Sequence, residues 1–559
     1  MVTVARGSTV LSTGAAGIVL AAPASGSGKT TVATGLIGAL RRAGHRVAPF
    51  KVGPDYIDPG YHGLAAGRPG RNLDPVLVGR DRIAPLYRHG SRDCDLAVVE
   101  GVMGLFDGRI EDRSADPVAE GSTAQVAGLL GLPVILVVDA RGHSQSLAAL
   151  LHGFATFDSG VRLGGVILNR VGSERHEQVL RAACDRVGLP VLGALPRLAE
   201  LEVPSRHLGL IPAVEHGRAA LRAVDAMTDL AARHIELSAV AALAVAPRSG
   251  TVWDPVQAAD TIANPVQGAT EDGSPGSGAT GDTAGLGVAA VPGAAAERGP
   301  GAGVAGVPAG TAAVPGPSGP AAARGGGIGV PERDDRPGGA GAVSVAGEPK
   351  PVIAVAGGPA FTFGYAEHRE LLTAAGGEVV VFDPLHDPLP ADAAGLVLPG
   401  GFPEEHAEAL AGNAELRAAV AEQARAGLPV HAECAGLLYL AASLDGHPMA
   451  GVLDAVAEFG PRLTLGYREA VALADSPLWR AGERVLGHEF HRTRLVTTGS
   501  RVSAWAWRAG REQIREGALV YQVHASYLHT HPAGNPVAVH RFVSAARTHR
   551  CAGATATGR

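Results

Sequence analysis

Residues 18–40 read IVLAAPASGSGKTTVATGLIGAL, and this stretch decides the fold of the N-terminal part of the chain. The apolar residues Ile18 to Leu20 predict a short buried strand, and a helical pattern begins after a loop of small residues. A strand, a Gly-rich loop and a helix in this order are typical of a phosphate-binding loop, where backbone N–H groups face the phosphates. The helix dipole disfavours a lysine at a helix start, so Lys29 favours an anion site over a plain turn.

The loop residues predict individual nucleotide contacts. We expect Lys29 to reach the outer phosphates and the Thr30 hydroxyl to ligate Mg²⁺. Pro23 stands where the common pattern has its first glycine, so the motif is a variant. The predicted nucleotide-binding residues of the loop are Ser25, Gly26, Ser27, Gly28, Lys29, Thr30 and Thr31.

Acidic residues follow the next two predicted strands. Asp55 and Asp58 lie in the loop KVGPDYIDP, Glu100 ends the strand DLAVVE, and Asp107 follows in GVMGLFDG. Ligands of a parallel sheet bind at the carboxyl ends of its strands. Asp55 and Asp58 are therefore candidate Mg²⁺ ligands or substrate-side groups, unless they only form turns beside proline. Glu100 is expected to hold Mg²⁺ opposite Thr30.

Three further buried strands, at 132–139, 164–169 and 191–196, alternate with helical patterns. Repeated strand and helix segments with buried strands predict an α/β fold with a doubly wound, mostly parallel sheet. Asn169 ends one of these strands, where its amide is placed to read a purine edge. This first domain is expected to span residues 16–245.

Composition narrows the possible partners and compartments. The formal net charge of −6 gives no basic footprint, which argues against nucleic acid, and no apolar run is long enough to span a membrane. The four cysteines, with no CxxC pair, exclude a disulfide scaffold and suit a reducing cytoplasm. The N-terminus superficially resembles a signal peptide, but cleavage there would remove the first strand.

Residues 250–349 differ in kind from the rest of the chain. They consist mainly of Gly, Ala, Pro, Val, Ser and Thr, with Trp253 as the single aromatic residue. Such a segment buries too little apolar surface to offset its ordering entropy. We expect a disordered linker here, although a docking segment for a partner is the alternative.

A second domain is expected over residues 350–548. Its strand LPVHAE, at 428–433, runs into Cys434 and a helix, which is the pattern of a nucleophile elbow. The helix N-terminus is expected to lower the pKa of the thiol. The backbone N–H groups of Ala435 and Gly401 are candidate oxyanion donors. The alternative is a buried structural cysteine.

A cysteine nucleophile needs a base, usually a histidine. His529 is our choice and His531 the runner-up, since spacing alone does not separate them. In GHEFHRT, His488 and His491 are three residues apart, so the stretch is not the zinc motif HExxH. We expect a substrate-facing loop there, with a plain surface loop as the alternative.

Together these motifs resemble the cobyrinate and hydrogenobyrinate a,c-diamide synthases of the cobalamin pathway. The resemblance covers both domains and excludes residues 250–349. It rests on APASGSGKTT, KVGPDYIDP, VEGVMGLFDG, ILNR, PSRHLGL, LPGGFPE, HAECAGLLYL, GHEFHRT and ASYLHTH. KVGPDYIDP and GHEFHRT in particular distinguish it from cobyric acid synthases and dethiobiotin synthetases.

The resemblance implies a fold and a reaction for each domain. The C-terminal domain would be a class I-type glutamine amidotransferase in which Cys434 attacks glutamine and His529 moves the proton. The N-terminal, dethiobiotin synthetase-like domain would phosphorylate a corrinoid carboxylate, and ammonia would convert the acyl phosphate into an amide on the a and c acetates. Mg-ATP would be bound through Lys29, Thr30, Asp55 and Glu100, and the substrate contacts would include Asp58, Asp107, His488 and His491. The family also suggests a homodimer.

Several alternatives remain open from the sequence. The corrin is metal-free or contains cobalt, and the Ala-, Gly-, Arg- and Pro-rich composition, which suggests an aerobic organism, favours the metal-free form. A cobyric acid synthase is the nearest other enzyme. A ParA/MinD-like regulatory ATPase would carry a signature lysine where this chain has Ala24. Ala435 replaces the glycine usual after the nucleophile, but its N–H is retained. We expect the two domains to pack together so that ammonia can pass.

Overall fold

The computed structural model describes residues 11–110, 118–197, 205–206, 209–210, 212–263, 349–497 and 502–557. Its N-terminal and C-terminal parts belong to one compact unit, which joins residues 1–266 to residues 349–559. None of the described helices has the length and apolar character needed to cross a bilayer.

The N-terminal part is built on a parallel sheet whose strands are apolar and buried. The described strands of the N-terminal part are β1 (Leu11–Ser12), β2 (Ala16–Ala21), β3 (Val47–Val52), β4 (Arg71–Leu73), β5 (Leu96–Glu100), β6 (Val134–Asp139), β7 (Leu163–Val171), β8 (Val191–Pro196), β9 (Ser205–Arg206), β10 (Gly209–Leu210) and β11 (Gly250–Thr251). Seven of them form the main sheet in the order β4-β3-β5-β2-β6-β7-β8. The order reverses around β2, so the strand that precedes the phosphate-binding loop lies at the centre.

Helices cover both faces of this sheet, which explains why its strands are apolar on both sides. They are α1 (Lys29–Arg42), α2 (Asp58–Ala66), α3 (Pro75–Val78), α4 (Arg80–Gly90), α5 (Thr123–Leu130), α6 (Leu147–Thr156), α7 (Glu174–Asp185), α8 (Ala213–His216), α9 (Arg218–His234), α10 (Leu237–Leu243) and α11 (Pro255–Ala263). Helix α1 packs on α9 and α2.

The C-terminal part contains two sheets. Its strands are β12 (Val352–Ala356), β13 (Glu378–Phe382), β14 (Ala393–Leu398), β15 (Val430–Glu433), β16 (Ser443–Leu444), β17 (His447–Pro448), β18 (Ala455–Ala472), β19 (Arg484–Thr497), β20 (Trp505–Ala509), β21 (Glu512–Glu516), β22 (Ala518–Val520), β23 (Val523–Ser526) and β24 (His529–Thr530). Its helices are α12 (Ala366–Ala374), a 3₁₀ helix (Pro403–His406), α13 (Ala407–Gly412), α14 (Ala414–Arg425), α15 (Ala435–Leu440) and α16 (Pro536–Thr557).

The first of these sheets has the order β13-β12-β14-β15-β23-β22 and is parallel except for its last strand. The second is antiparallel around the long pair β18 and β19, and β24 adds to its edge beside β19. Strand β15, in the first sheet, leads into Cys434, and β24, in the second sheet, begins with His529.

The predicted linker begins too early. Residues 250–263, placed in a disordered segment by composition, contain β11 and α11. Trp253 is 7% exposed and meets the ring of His89 edge-on, with 4.9 Å between the ring centroids. The one aromatic side chain of the segment thus supplies the apolar burial that its composition otherwise lacks. The rest of the predicted linker, up to residue 348, lies outside the described residues.

Candidate functional site

The phosphate-binding loop connects β2 to α1, as the sequence predicts. Gly28 has φ of 85°, and a Cβ atom there would lie 2.3 Å from Nδ2 of Asn169, so both the backbone angle and the space require glycine. Asn169 donates from Nδ2 to the carbonyl of Ser27 at 2.9 Å, and Arg170 donates to the carbonyl of Gly26 at 2.8 Å. The end of β7 thus supports the loop, while purine recognition by Asn169 stays a prediction.

Lys29 lies at the start of α1 and is largely buried. Its Nζ donates to the carbonyl of Met103 at 2.5 Å. Burial lowers the pKa of Lys29, and the nearby charge of Lys51 lowers it further. Asp107 accepts the N–H of Gly104 at 2.9 Å. It therefore stabilises the turn that contains Met103, whose carbonyl contacts Lys29.

Three acidic side chains surround the ammonium of Lys51, a residue that the sequence analysis did not select. Its Nζ lies 2.6 Å from Asp58 Oδ2, 2.9 Å from Glu100 Oε1 and 3.9 Å from Asp55 Oδ2. Burial would lower the pKa of Lys51, but these carboxylates outweigh it and raise that pKa. Lys51 is therefore a fixed positive charge at the carboxyl ends of β3 and β5.

The same carboxylates contact the loop threonine. The Thr30 hydroxyl donates to Glu100 Oε1 at 2.8 Å and to Asp58 Oδ2 at 3.0 Å. Burial would raise the pKa of Glu100, but Lys51 and His62 together lower it, so this carboxyl group is ionised. Burial, followed by the charge of Asp55, raises the pKa of Asp58.

The predicted Mg²⁺ ligands are only partly brought together. Thr30 and Glu100 are in contact, and Asp58 rather than Asp55 is the aspartate that bonds to Thr30. Asp55 instead accepts the N–H groups of Ile57 and Asp58 at 2.8 and 2.9 Å, which fixes the turn. In the described ranges, no group of three or more His, Cys, Asp or Glu side chains forms a metal site by itself. Because Mg²⁺ beside a nucleotide is held by one or two protein oxygens plus phosphate, the Thr30 hydroxyl and a carboxylate fit this ion.

The nucleophile elbow has the strained geometry that its sequence predicts. Cys434 has φ of 48° and ψ of −96°, between β15 and α15, and its N–H donates to the carbonyl of Ser526 at 2.7 Å. The backbone N–H groups of Gly401 and Ala435 both donate hydrogen bonds to the thiol. These are the two predicted oxyanion donors, and they face the reactive atom from opposite elements.

The pKa of Cys434 differs from the sequence expectation. The two N–H groups lower it, but burial is the largest effect and Glu404 adds to it, so the pKa of the thiol is raised. The helix N-terminus therefore does not produce a standing thiolate, because the side chain is withdrawn from water. A base must accept the proton when the sulfur reacts.

The two candidate bases have different surroundings. His529 is fully buried, and a Cβ atom on Gly400, next to the donor Gly401, would lie 2.3 Å from its Cε1. Its Nδ1 lies 3.5 Å from Oε2 of Glu433, the residue before the nucleophile. His531 instead accepts a hydrogen bond from the Ala533 N–H at Nδ1 and packs against the Tyr365 ring with a centroid distance of 4.1 Å. The geometry therefore favours His529.

The stretch GHEFHRT is not a loop, in contrast to the sequence expectation. It lies within β19, because β18 pairs along it and His488 stands opposite His529 of β24. His488 is buried, which lowers its pKa to about 3. The ring of His491 stacks on Tyr527 with a centroid distance of 3.7 Å. The carbonyl of Phe490, between the two histidines, accepts from Cys434 Sγ at 3.8 Å, so this strand forms one wall beside the thiol.

Tyr56 joins the two sites. It belongs to the loop that carries Asp55 and Asp58, and its ring lies 4.8 Å from the His529 ring and 4.9 Å from that of Phe363. Its hydroxyl is 3.1 Å from that of Tyr365. The loop that carries Asp55 and Asp58 therefore contacts the candidate base of the second site.

Several residues of these sites were not predicted from the sequence. Two of them, Lys51 and Tyr56, lie inside the motif KVGPDYIDP, and Glu433 directly precedes the nucleophile, so their positions were the available signal. His62 contacts Glu100 Oε2 through Nε2 at 2.7 Å, but a lone histidine in a helical pattern carries no such signal.

Two family models match separate parts of the chain. The CobQ/CobB/MinD/ParA nucleotide binding domain matches residues 18–211. The CobB/CobQ-like glutamine amidotransferase domain matches residues 352–537. The two matches contain the phosphate-binding loop and the Cys434 elbow respectively.

Curated relatives match nearly the whole chain. A hydrogenobyrinate a,c-diamide synthase of Mycobacterium bovis is 53% identical over 94% of this chain and 97% of its own length. The Streptomyces coelicolor protein of the same name is 49% identical over 95% of this chain and 97% of its own length. A cobyrinate a,c-diamide synthase of Synechococcus is 34% identical over 97% of this chain and all of its own length.

Proposed function

The chain belongs to the family of hydrogenobyrinate and cobyrinate a,c-diamide synthases, and we propose that it amidates the a and c acetate carboxylates of hydrogenobyrinate with glutamine and ATP. One observation carries this proposal: a single compact unit holds both a phosphate-binding loop and a cysteine elbow, and one loop of the first contacts the candidate base of the second. A reaction that uses ammonia from one site at the other requires this proximity.

In the proposed glutaminase reaction, Cys434 gives its proton to His529 and its sulfur attacks the side-chain amide carbon of glutamine. The oxyanion that forms is stabilised by the N–H groups of Gly401 and Ala435, which already point at the sulfur. His529 then returns the proton to the leaving nitrogen, and ammonia departs. Water hydrolyses the remaining thioester to glutamate and restores the thiol.

In the proposed synthetase reaction, a substrate carboxylate attacks the γ-phosphate of ATP and ADP leaves. Lys29 and the loop N–H groups would bind the phosphates, and Lys51 would hold the attacking carboxylate or the transferred phosphoryl group by charge. Thr30 with Asp58 or Glu100 would hold Mg²⁺, which neutralises phosphate charge when bound. Ammonia attacks the acyl phosphate and displaces inorganic phosphate, leaving the amide.

The metal-free corrin is the proposed substrate because of the relatives' names. The M. bovis and S. coelicolor relatives, named for hydrogenobyrinate, are 53% and 49% identical, whereas the Synechococcus relative, named for cobyrinate, is 34% identical. Cobyrinate is the second candidate. Incubation with Mg-ATP, glutamine and each corrin, followed by mass analysis, distinguishes them, since two amidations of the metal-free acid are expected.

We also propose where the protein acts and how it assembles. The four cysteines are all thiols, which suits a reducing cytoplasm that supplies ATP and glutamine. We propose a homodimer on the family resemblance alone. Size-exclusion chromatography with light scattering tests the dimer, and cell fractionation tests the location.

The division of labour between the domains is tested by Cys434→Ala. We expect glutamine-dependent synthesis to fall by more than about 10³-fold, while synthesis from added ammonia persists. Cys551→Ala, which alters an exposed thiol, is the matched control and should leave both reactions unchanged. Loss of both reactions in Cys434→Ala would contradict the proposed function.

A further inference from the structure

The surroundings of His529 contain an acidic side chain to which no sequence motif assigns a role. His529 is buried on all sides, and in the described part of the chain neither ring nitrogen makes a geometrically complete hydrogen bond. The carboxylate of Glu433 nevertheless lies 3.5 Å from Nδ1. A buried imidazole that must become positively charged needs such a partner, because burial alone disfavours the charged form.

Glu433 is held in place by contacts on its other oxygen. Oε1 accepts the N–H of Thr530 at 3.1 Å and the Thr530 hydroxyl at 3.0 Å, and it lies 3.2 Å from Nε2 of His431. These contacts fix the carboxylate against the residue that follows His529. The second oxygen, Oε2, is left facing the imidazole ring.

The charge of Glu433 suits this arrangement. Burial, the largest single effect, would raise its pKa, but His431 and His529 outweigh burial and keep that pKa well below the usual range. The carboxyl group is therefore ionised at neutral pH. A carboxylate at Nδ1 favours the tautomer with its proton on Nδ1 and leaves Nε2 to accept the thiol proton.

The elbow changes the direction of the chain between Glu433 and the candidate nucleophile. Strands β15 and β23 run in parallel, with Glu433 opposite Ser526, and the strained backbone at Cys434 turns the next side chain in a new direction. Glu433 therefore keeps the direction of the strand, whereas Cys434 turns toward the two N–H donors.

We propose that Glu433 is the positioning residue of the glutaminase site, where its carboxylate orients His529 and stabilises the imidazolium that forms when His529 takes the Cys434 proton. The proton moves from Sγ to Nε2 and later to the departing ammonia, so Glu433 itself neither gains nor loses one. This inference rests on the proposed glutaminase function. It adds the third group that a nucleophile and a base require.

The test compares Glu433→Gln with Glu433→Asp, with glutamine and with added ammonia as nitrogen sources. We expect Glu433→Gln to lower kcat for glutamine hydrolysis by about 10²- to 10⁴-fold with a nearly unchanged KM for glutamine. Ammonia-dependent synthesis should stay within about threefold of the parent protein. Glu433→Asp, which restores the charge, should recover part of the glutaminase rate.

A pH profile separates positioning from a purely structural role. Without the carboxylate the imidazolium is less stable, so the acid limb of the kcat/KM profile for glutamine should move to lower pH in Glu433→Gln. Glu483→Gln removes the charge of a glutamate that pairs with Arg541. It is the control for the loss of a negative charge as such.

The outcomes distinguish this inference from the function on which it rests. Parent-like glutaminase activity in Glu433→Gln, or an equal loss with glutamine and ammonia, would overturn the positioning role. An unchanged acid limb together with a lowered rate would also overturn it. If Cys434→Ala keeps glutamine-dependent synthesis, the proposed glutaminase function is itself contradicted, and the role of Glu433 no longer has a basis.

Discussion

The ring of Tyr56, from the nucleotide-binding domain, lies against the ring of His529, from the amidotransferase domain, with 4.8 Å between their centroids. Tyr56 stands between Asp55 and Asp58 in the chain, so the loop that carries these aspartates contacts the candidate base.

This contact predicts different effects for two substitutions of Tyr56. Tyr56→Leu removes the ring, and we expect glutamine-dependent synthesis to fall about 10- to 100-fold, because a small displacement of a base is costly. Tyr56→Phe keeps the ring and loses only the contact with the Tyr365 hydroxyl, so its rate should remain within about threefold. Steady-state assays with glutamine and with ammonia provide the measurement. Equal rates for the two variants would argue against a role of the ring.

Asp58, rather than Asp55, is predicted to be the aspartate that matters for Mg²⁺. Asp58→Asn should raise the Mg²⁺ concentration for half-maximal ammonia-dependent synthesis about tenfold or more, since Asp58 bonds to Thr30. Asp55→Asn should have a smaller effect, because an asparagine oxygen can still accept the two turn N–H groups. A larger shift for Asp55→Asn would restore the sequence-based assignment.

A largely buried ion pair connects the two domains. Arg71 of β4 lies 2.6 Å from Glu367 of α12 and also pairs with Glu370, and Glu367 is 1% exposed. Arg71→Met leaves Glu367 as an uncompensated buried charge, so we expect a loss of about 3–5 kcal/mol in the free energy of unfolding. Urea denaturation measures this loss. Arg46→Met, which breaks the exposed pair with Asp95, should barely move the transition.

His524 gives a pH dependence of stability with a defined sign. Burial lowers its pKa from 6.5 to about 3, so the unfolded chain binds a proton there that the folded chain does not. The stability contribution of His524 is therefore intact above pH 6.5 and decreases as the pH falls toward 3. At pH 5 the parent protein should have lost roughly 2 kcal/mol more than His524→Gln, relative to pH 8.

Denaturant titrations of both proteins at the two pH values test this prediction. Any stability that His524→Gln loses at both pH values cancels in the comparison. Parallel pH dependences for the two proteins would show that His524 is protonated in the folded state.

Much of the fold is predictable from the sequence, because its strands are continuous apolar runs. The patterns at 191–196, 352–356 and 378–382 predict strands with the observed bounds. The elbow at Cys434 is also predictable, since its small neighbours and the following helix are local features. The strand character of GHEFHRT was not predicted, because this polar stretch lacks an apolar strand pattern and is a strand through its pairing with β18 and β24.

The contacts of the candidate site were less predictable than its residues. Lys51 is visible in the motif, but only the folded chain places it among three carboxylates. Likewise, the choice between His529 and His531 depends on Glu433 and Tyr365, which come from other strands and loops. Trp253 shows the opposite limit: it is buried beside β11 and α11, in a stretch whose average composition predicts no order.

Helix α16 contacts both flanks of residues 264–348. Helix α11, which ends at Ala263, packs on α16, and Arg550 of α16 donates to the carbonyl of Pro349 at 2.8 Å. Both flanks of the stretch thus have attachment points that do not depend on its length. The contacts of the two flanks with α16 remain when the number of residues between the flanks changes. Evolution can therefore lengthen, shorten or even divide the chain at this place at little energetic cost, and a pair of separately encoded polypeptides would be expected to assemble into the same enzyme.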